Sequence, residues 1–258
     1  MNHTRLPGER VEPRIIFITG TDTGVGKTVL TGLLLAHLRS AGYATYALKP
    51  FCSGGRADAR LLHGLQDGDL TLGQVNPFHF REPLAPLVAA RLQSRVIQLN
   101  DALQKIRNVN SQIKNQKSKI KNPFLLIEGA GGLLAPLGAR FTAADLIKKL
   151  RCQVIVAAAN RLGTLNHCLL TMNHLQTIGV KHVAFVLLDL NRSASKQRTT
   201  GHGPRTNPQM LRELLPSTPV FHLPHLPELA KSLGKTEPKP LLITCAKKLK
   251  KTLAQILQ

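Results

Sequence analysis

The sequence predicts an α/β fold: a parallel sheet flanked by helices in three layers. Three observations carry the prediction. Apolar, β-branched runs alternate along the chain with segments of helical spacing, the pattern of βαβ units. The strand-like runs are continuously apolar, which suits a sheet covered on both faces. The chain has 258 residues, 43% of them hydrophobic, enough for one substantial core. In order, Ile15–Thr19 reads as a strand ending at Gly20, and Lys27–Ala41 as a helix stopped by Gly42. Thr45–Leu48 is a second strand, closed by Pro50, which has no N–H to continue a ladder. Phe124–Ile127, Val154–Ala159 and Val183–Leu188 are the next strands, with a helix over Leu165–Ile178 ending at Gly179. Val220–Leu223 is a sixth strand, and residues 239–258 form an amphipathic terminal helix. No repeat or linker divides the chain, so 1–258 is read as one domain, with Met1–Arg14 expected to be flexible.

Composition narrows the class. The formal net charge is +21, which favours anionic partners such as phosphates and nucleotides without choosing among them. Aromatics are 4% and Trp is absent, so Leu, Val, Ile and Ala must build the core. The four cysteines form no C-x-x-C pair, so neither a zinc site nor a disulfide framework is indicated. No run approaches the ~20 apolar residues of a membrane span, and the polar N-terminus lacks a signal peptide's apolar region. The expectation is a cytoplasmic protein without a membrane partner. Lys105–Lys121 and Asn191–Asn207 are basic and polar, and read as solvated faces or loops.

The strongest chemical signal is Gly20-Thr21-Asp22-Thr23-Gly24-Val25-Gly26-Lys27-Thr28, between a strand and a helix. That is the setting of a phosphate-binding P-loop. Its backbone N–H groups and the helix N-terminus attract phosphate oxygens. Lys27 reaches the outer phosphates and the Thr28 hydroxyl is placed for Mg²⁺. The pattern departs from the usual one, since Thr21 stands where the first glycine is expected and Gly20 lies one residue earlier. Lys49 follows the second strand and Glu128 ends the third, both on the carboxyl edge where α/β proteins bind ligands. Asp58 and Glu128 supply the oxygen ligands that suit Mg²⁺.

Together these pieces resemble the dethiobiotin synthetase family. The matching residues are Gly20–Thr23 with Val25–Thr28, Lys49-Pro50 with Ser53-Gly54, and Val75–Phe78 with Phe80, Glu82-Pro83 and Pro86. Glu128–Gly132 and Leu162–His167 complete the set, so the likeness runs from about Ile15 to Phe185. The resemblance implies an ATP- and Mg²⁺-dependent enzyme that joins CO₂ to 7,8-diaminopelargonate and closes a ring. A carbamate and a carbamic-phosphoric anhydride lie on the way. It implies that Lys27 and Lys49 stabilise the carbamate and the transferring phosphoryl group, with Thr23 and Ser53 at the reacting groups. Thr23, Gly24, Val25, Gly26, Lys27, Thr28 and Glu128 would hold the nucleotide. Thr28, Asp58 and Glu128 would hold Mg²⁺. Ser53, Gly131, Gly132, Thr164 and Asn166 would contact substrate, the last two across a homodimer interface. One departure stands out. The family commonly has an Asn-Asp pair after the fifth strand, the Asn reading adenine. Leu188-Asp189 stands here, with Asn191 nearby, and Leu makes no amide hydrogen bonds.

Two rival readings share the P-loop. Amidotransferase-type synthetases need a glutaminase domain with its own Cys nucleophile, for which this length leaves no room. Cys52, Cys152 and Cys168 read instead as small buried hydrophobes. A ParA- or MinD-like ATPase that coats DNA or membrane is favoured by the +21 charge and the terminal helix. Those proteins carry a Lys near the loop start, where this chain has Asp22. A nucleic-acid partner is therefore not expected. His222 and His225 have metal-like spacing without companion ligands and read as packing or surface residues.

Overall fold

A computed structural model describes residues 12–115, 121–190, 203–232 and 239–258. β1 (Arg14–Gly20) runs into a loop and then α1 (Lys27–Ser40), which returns to β2 (Tyr43–Leu48). Pro50 ends β2, and the chain leaves the main sheet as β3 (Phe51–Ser53). α2 (Ala57–Gly64) and α3 (Leu72–Val75) precede β4 (Phe78–Phe80), which pairs with β3 in a small parallel ribbon. α4 (Pro86–Leu92) and α5 (Leu99–Asn115) lead back to β5 (Lys121–Glu128). A two-stranded ribbon, β6 (Pro136–Gly138) and β7 (Phe141–Thr142), introduces α6 (Ala143–Leu150). Then come β8 (Gln153–Ala159), α7 (Thr164–Thr177), β9 (Val183–Leu188), α8 (Gly203–Leu214), β10 (Val220–Leu223) and α9 (Pro227–Ser232). α10 (Lys239–Lys248) and α11 (Lys250–Ile256) finish the chain.

The main sheet is parallel, in the order β10-β9-β8-β1-β5-β2. Its central strands are buried on both faces, as their continuous apolar runs predict: Ile16, Phe17 and Ile18 of β1 and Val154–Ala158 of β8 are at most 1% exposed. All six main strands fall where the sequence places them. The two ribbons are too short to show a periodicity of their own. The terminal helix is interrupted at Leu249, and its apolar residues Leu242, Leu253 and Ile256 are buried in the core. Leu242 packs onto α1 at Gly32, where an added Cβ would lie 3.3 Å from its methyls. The first part of the basic stretch 105–121 belongs to α5, with Ile106, Val109 and Ile113 buried. The remainder of that stretch within 116–120, residues 191–202 including Asn191, and most of Met1–Arg14 lie outside the described residues.

Among the described residues, no helix is long and apolar enough to cross a membrane.

Candidate active site

β1, β2 and β5 are neighbours in the sheet, so the loops leaving their carboxyl ends converge. This places Lys27 and Thr28 after β1, Lys49 after β2 and Glu128 at the end of β5 around one pocket of about 1440 Å³. Asp22, Thr23, Gly24, Gly26, Ser53, Asp58, Gly131 and Gly132 also line it. Val25 does not; it is 2% exposed and turns into the core beneath Gly20, leaving only its backbone for a ligand.

The loop's shape follows from its glycines. Gly26 sits at φ 94° as the N-cap of α1, a conformation that L side chains rarely adopt, and a Cβ there would lie 2.9 Å from Leu188. No side chain caps α1. Its first-turn N–H groups, and the partial positive charge of the helix end, are left for an anion. Across the pocket, a Cβ on Gly132 would stand 3.3 Å from the Thr21 carbonyl oxygen. The glycine turn after Glu128 is therefore packed directly on the phosphate loop.

The charged groups form a connected cluster. Lys49 Nζ donates to Glu128 Oε1 at 2.5 Å and to the Gly129 carbonyl at 3.0 Å, and lies 3.6 Å from Asp58. Thr28 donates its hydroxyl to the same Glu128 oxygen at 2.7 Å. Glu128 is fully buried, and its Oε2 has no hydrogen-bond partner among the described residues. Burial opposes the Lys49 charge, but Glu128 and Asp58 outweigh it and hold the ammonium above its ordinary range. Lys27 behaves in the opposite way. Burial, then the neighbouring Lys49 charge, lower it to about 8, against the pull of Glu128, Asp58 and Asp22. Its Nζ donates to the Asp22 carbonyl at 2.7 Å. Thr28, Asp58 and Glu128 offer only oxygen ligands, and an unpaired buried carboxylate oxygen among them fits a Mg²⁺ ion. The Ser53 hydroxyl is also buried at the pocket, without a partner among the described residues.

Thr164 and Asn166, expected to act across a homodimer interface, stand outside this pocket. Thr164 is 3% exposed, with its hydroxyl against Cys168 Sγ, and Asn166 is exposed on α7. Neither lines this chain's own pocket. The pocket wall on that side is instead His167, Leu170, Thr171 and His174, one face of α7, together with Leu134. Of this wall the sequence offered only His167, the last residue of the Leu162–His167 motif; for Leu170, Thr171 and His174 the signal was α7's spacing, with these residues one and two turns apart. Leu188 is buried against Gly26 and lines a second cavity of about 110 Å³ with Asp189, Leu190 and His225. Both oxygens of Asp189 are engaged, by Asn160 Nδ2 at 2.8 Å and His222 Nε2 at 3.0 Å. That pairing accounts for His222, and no cluster of three or more metal-ligating side chains occurs among the described residues. Burial raises the thiols of Cys52 and Cys168 to about 11 and of Cys152 to about 12, as expected of packed cysteines.

Comparison with known proteins gives the family. A family model described as an AAA domain matches residues 14–232. A protein of Anaeromyxobacter sp. (strain Fw109-5) named ATP-dependent dethiobiotin synthetase is 37% identical over 221 residues, covering 84% of this chain and 92% of its own. One of the same name from Bacillus licheniformis is 36% identical over 200 residues, 76% and 79% of the two chains. Among solved structures, the MinC:MinD cell division complex of Aquifex aeolicus aligns at TM-score 0.53 and 12% identity, over 92% of this chain and 95% of that one. That likeness is one of fold alone. The sequence relatives go further than the fold, and by them the chain belongs to the ATP-dependent dethiobiotin synthetase family.

Proposed function

We propose that the protein forms dethiobiotin from 7,8-diaminopelargonate, CO₂ and ATP. The observation that carries the reading is the cluster of buried Lys49 and Glu128 with Thr28, beside Lys27 and the unpaired Ser53 hydroxyl, on the edge that bears the phosphate loop. One amine adds to CO₂ and loses a proton, giving a carbamate. A carbamate oxygen attacks the terminal phosphorus of ATP and ADP leaves. The second amine attacks the carbamoyl carbon, phosphate departs, and a further proton is lost. No step needs a protein nucleophile. What the protein supplies is position and charge.

Lys49 is a fixed cation, locked by Glu128 and Asp58, and suits the carbamate. Lys27 is held by a backbone carbonyl and is free to exchange it for the moving phosphoryl group. Ser53 offers its unpaired hydroxyl to the carbamate or diamine. Mg²⁺ would be held by Thr28, Asp58 and Glu128, and when bound it neutralises polyphosphate charge. The exposed leucines Leu84, Leu134 and Leu170 rim the pocket, which supports a second copy closing it and bringing its own Thr164 and Asn166 to the diamine's carboxylate. Light scattering would give twice the chain mass; a monomer that turns over at full rate would contradict this part. Running the reaction with ¹³C-bicarbonate should add one mass unit to the product, and an unlabelled product would overturn the carboxylation step. Leu188 in place of a base-reading amide supports use of nucleotides besides ATP. Comparable turnover with GTP or CTP is expected, and strict ATP dependence would contradict it.

A further inference from the structure

Lys49 precedes a proline at the point where its strand stops pairing, so its backbone needs support from elsewhere. A buried amide supplies the side-chain part of that support. Asn76, 2% exposed, donates through Nδ2 to the carbonyls of Lys49 at 2.8 Å and of Pro50 and Phe78 at 3.3 Å. The backbone on either side closes the clamp: Lys49 N–H donates to Val75 and Phe78 N–H to Pro50. The amide's orientation is fixed chemically. Three carbonyls demand the NH₂ group, and Arg56 Nε donates to Oδ1 at 3.0 Å. Arg56 Nη2 also donates to the Asn76 carbonyl at 3.1 Å. Arg56 is the residue that opens α2, the helix whose first turn carries Asp58, and Asp58 faces Lys49 at 3.6 Å. One Arg–Asn pair thus joins the backbone that carries Lys49 to the helix that carries its acidic partner.

We propose that Asn76, oriented by Arg56, is a positioning residue for the Lys49 ammonium. It touches neither the pocket nor any reacting group, and acts by fixing where the Lys49 chain starts. The inference rests on the reading of Lys49 given above. A carboxylate could not replace the amide, because it has no N–H to offer the three carbonyls.

The test is a double-mutant cycle read in kcat, with ATP affinity measured by calorimetry. Asn76→Ala should lower kcat about 10- to 100-fold, the scale of an ångström's misplacement. The Kd for ATP should stay within about threefold, since the phosphate loop is untouched. In a Lys49→Ala background the same substitution should cost less than about threefold, because the group it positions is gone. Arg56→Gln, on a half-buried residue, should show the same pattern and carries the test where the buried variant does not accumulate. A merely structural role would lower the active fraction equally in both backgrounds, so equal losses in the two would overturn the proposal. Full turnover in Lys49→Ala alone would instead overturn the reading of Lys49 itself.

Discussion

Lys27 and Lys49 share one pocket floor yet hold their protons with opposite strength: burial opposes both charges, and only Lys49 has partners that outweigh it. Lys49 has two carboxylates within 3.6 Å, whereas Lys27 has a neutral carbonyl and the repulsion of Lys49. The consequence for stability has a definite sign. An unfolded Lys27 titrates near 10.5 and the folded one near 8, so between these values the unfolded chain binds more protons. This group's contribution to the unfolding free energy therefore rises as pH climbs from about 8 to 10.5. Polyphosphate reverses the balance by favouring the ammonium. Calorimetry of ATP binding at pH 8 to 9, in buffers of different ionisation enthalpy, should show proton uptake that Lys27→Ala removes; equal uptake in the variant would refute the assignment. That substitution should also abolish turnover. Lys49→Ala should leave ATP affinity nearly intact and cut kcat by about 100-fold or more, the scale of losing a preorganised charge. Weakened ATP binding at normal kcat would move Lys49 from the carbamate to the nucleotide.

At the scale of elements, the phosphate loop depends on two close approaches. Gly26 is doubly constrained, by its φ of 94° and by Leu188 2.9 Å from its missing Cβ. Gly26→Ala should destabilise by about 1–3 kcal/mol and weaken ATP binding, read by thermal melting and titration. An unchanged Tm would mean that the loop relaxes freely. On the far side of α1, Leu242 of α10 is fully buried over Gly32. Leu242→Ala should cost about 2–5 kcal/mol by leaving a cavity. A loss under about 1 kcal/mol would show the terminal helices to be loosely docked. These elements also show what a sequence can reveal. Gly20 to Thr28 announced its own structure, because a strand, a glycine turn and a helix each have local signals. The Arg56–Asn76 clamp did not. Its donors and acceptors lie 20 residues apart, and an Asn before a proline reads as an ordinary turn residue. Beyond His167, which the quoted motif contains, the α7 wall was hidden for a different reason, since Leu170, Thr171 and His174 look like a solvated helix face until the fold brings them to the pocket.

For the whole molecule, the parallel order β10-β9-β8-β1-β5-β2 brings loops from across the chain to one edge. Lys27, Lys49 and Glu128 are separated by up to about a hundred residues in sequence and gather because β2, β5 and β1 are consecutive strands of the sheet. The sequence indicated the edge but not the order. Strand order is set by which faces bury best, a property of the assembled core. The same holds for the substrate end of the pocket. Thr164 and Asn166 matched the family motif, and the chain's own fold turns them away from its own pocket. We propose that this edge joins a diamine to CO₂ at the expense of ATP. It is tested most directly by phosphate release from Mg-ATP and bicarbonate, with and without 7,8-diaminopelargonate, and by the product's mass. Diamine-dependent release with the mass of dethiobiotin is the predicted result. Intact ATP binding with release indifferent to the diamine would contradict the account.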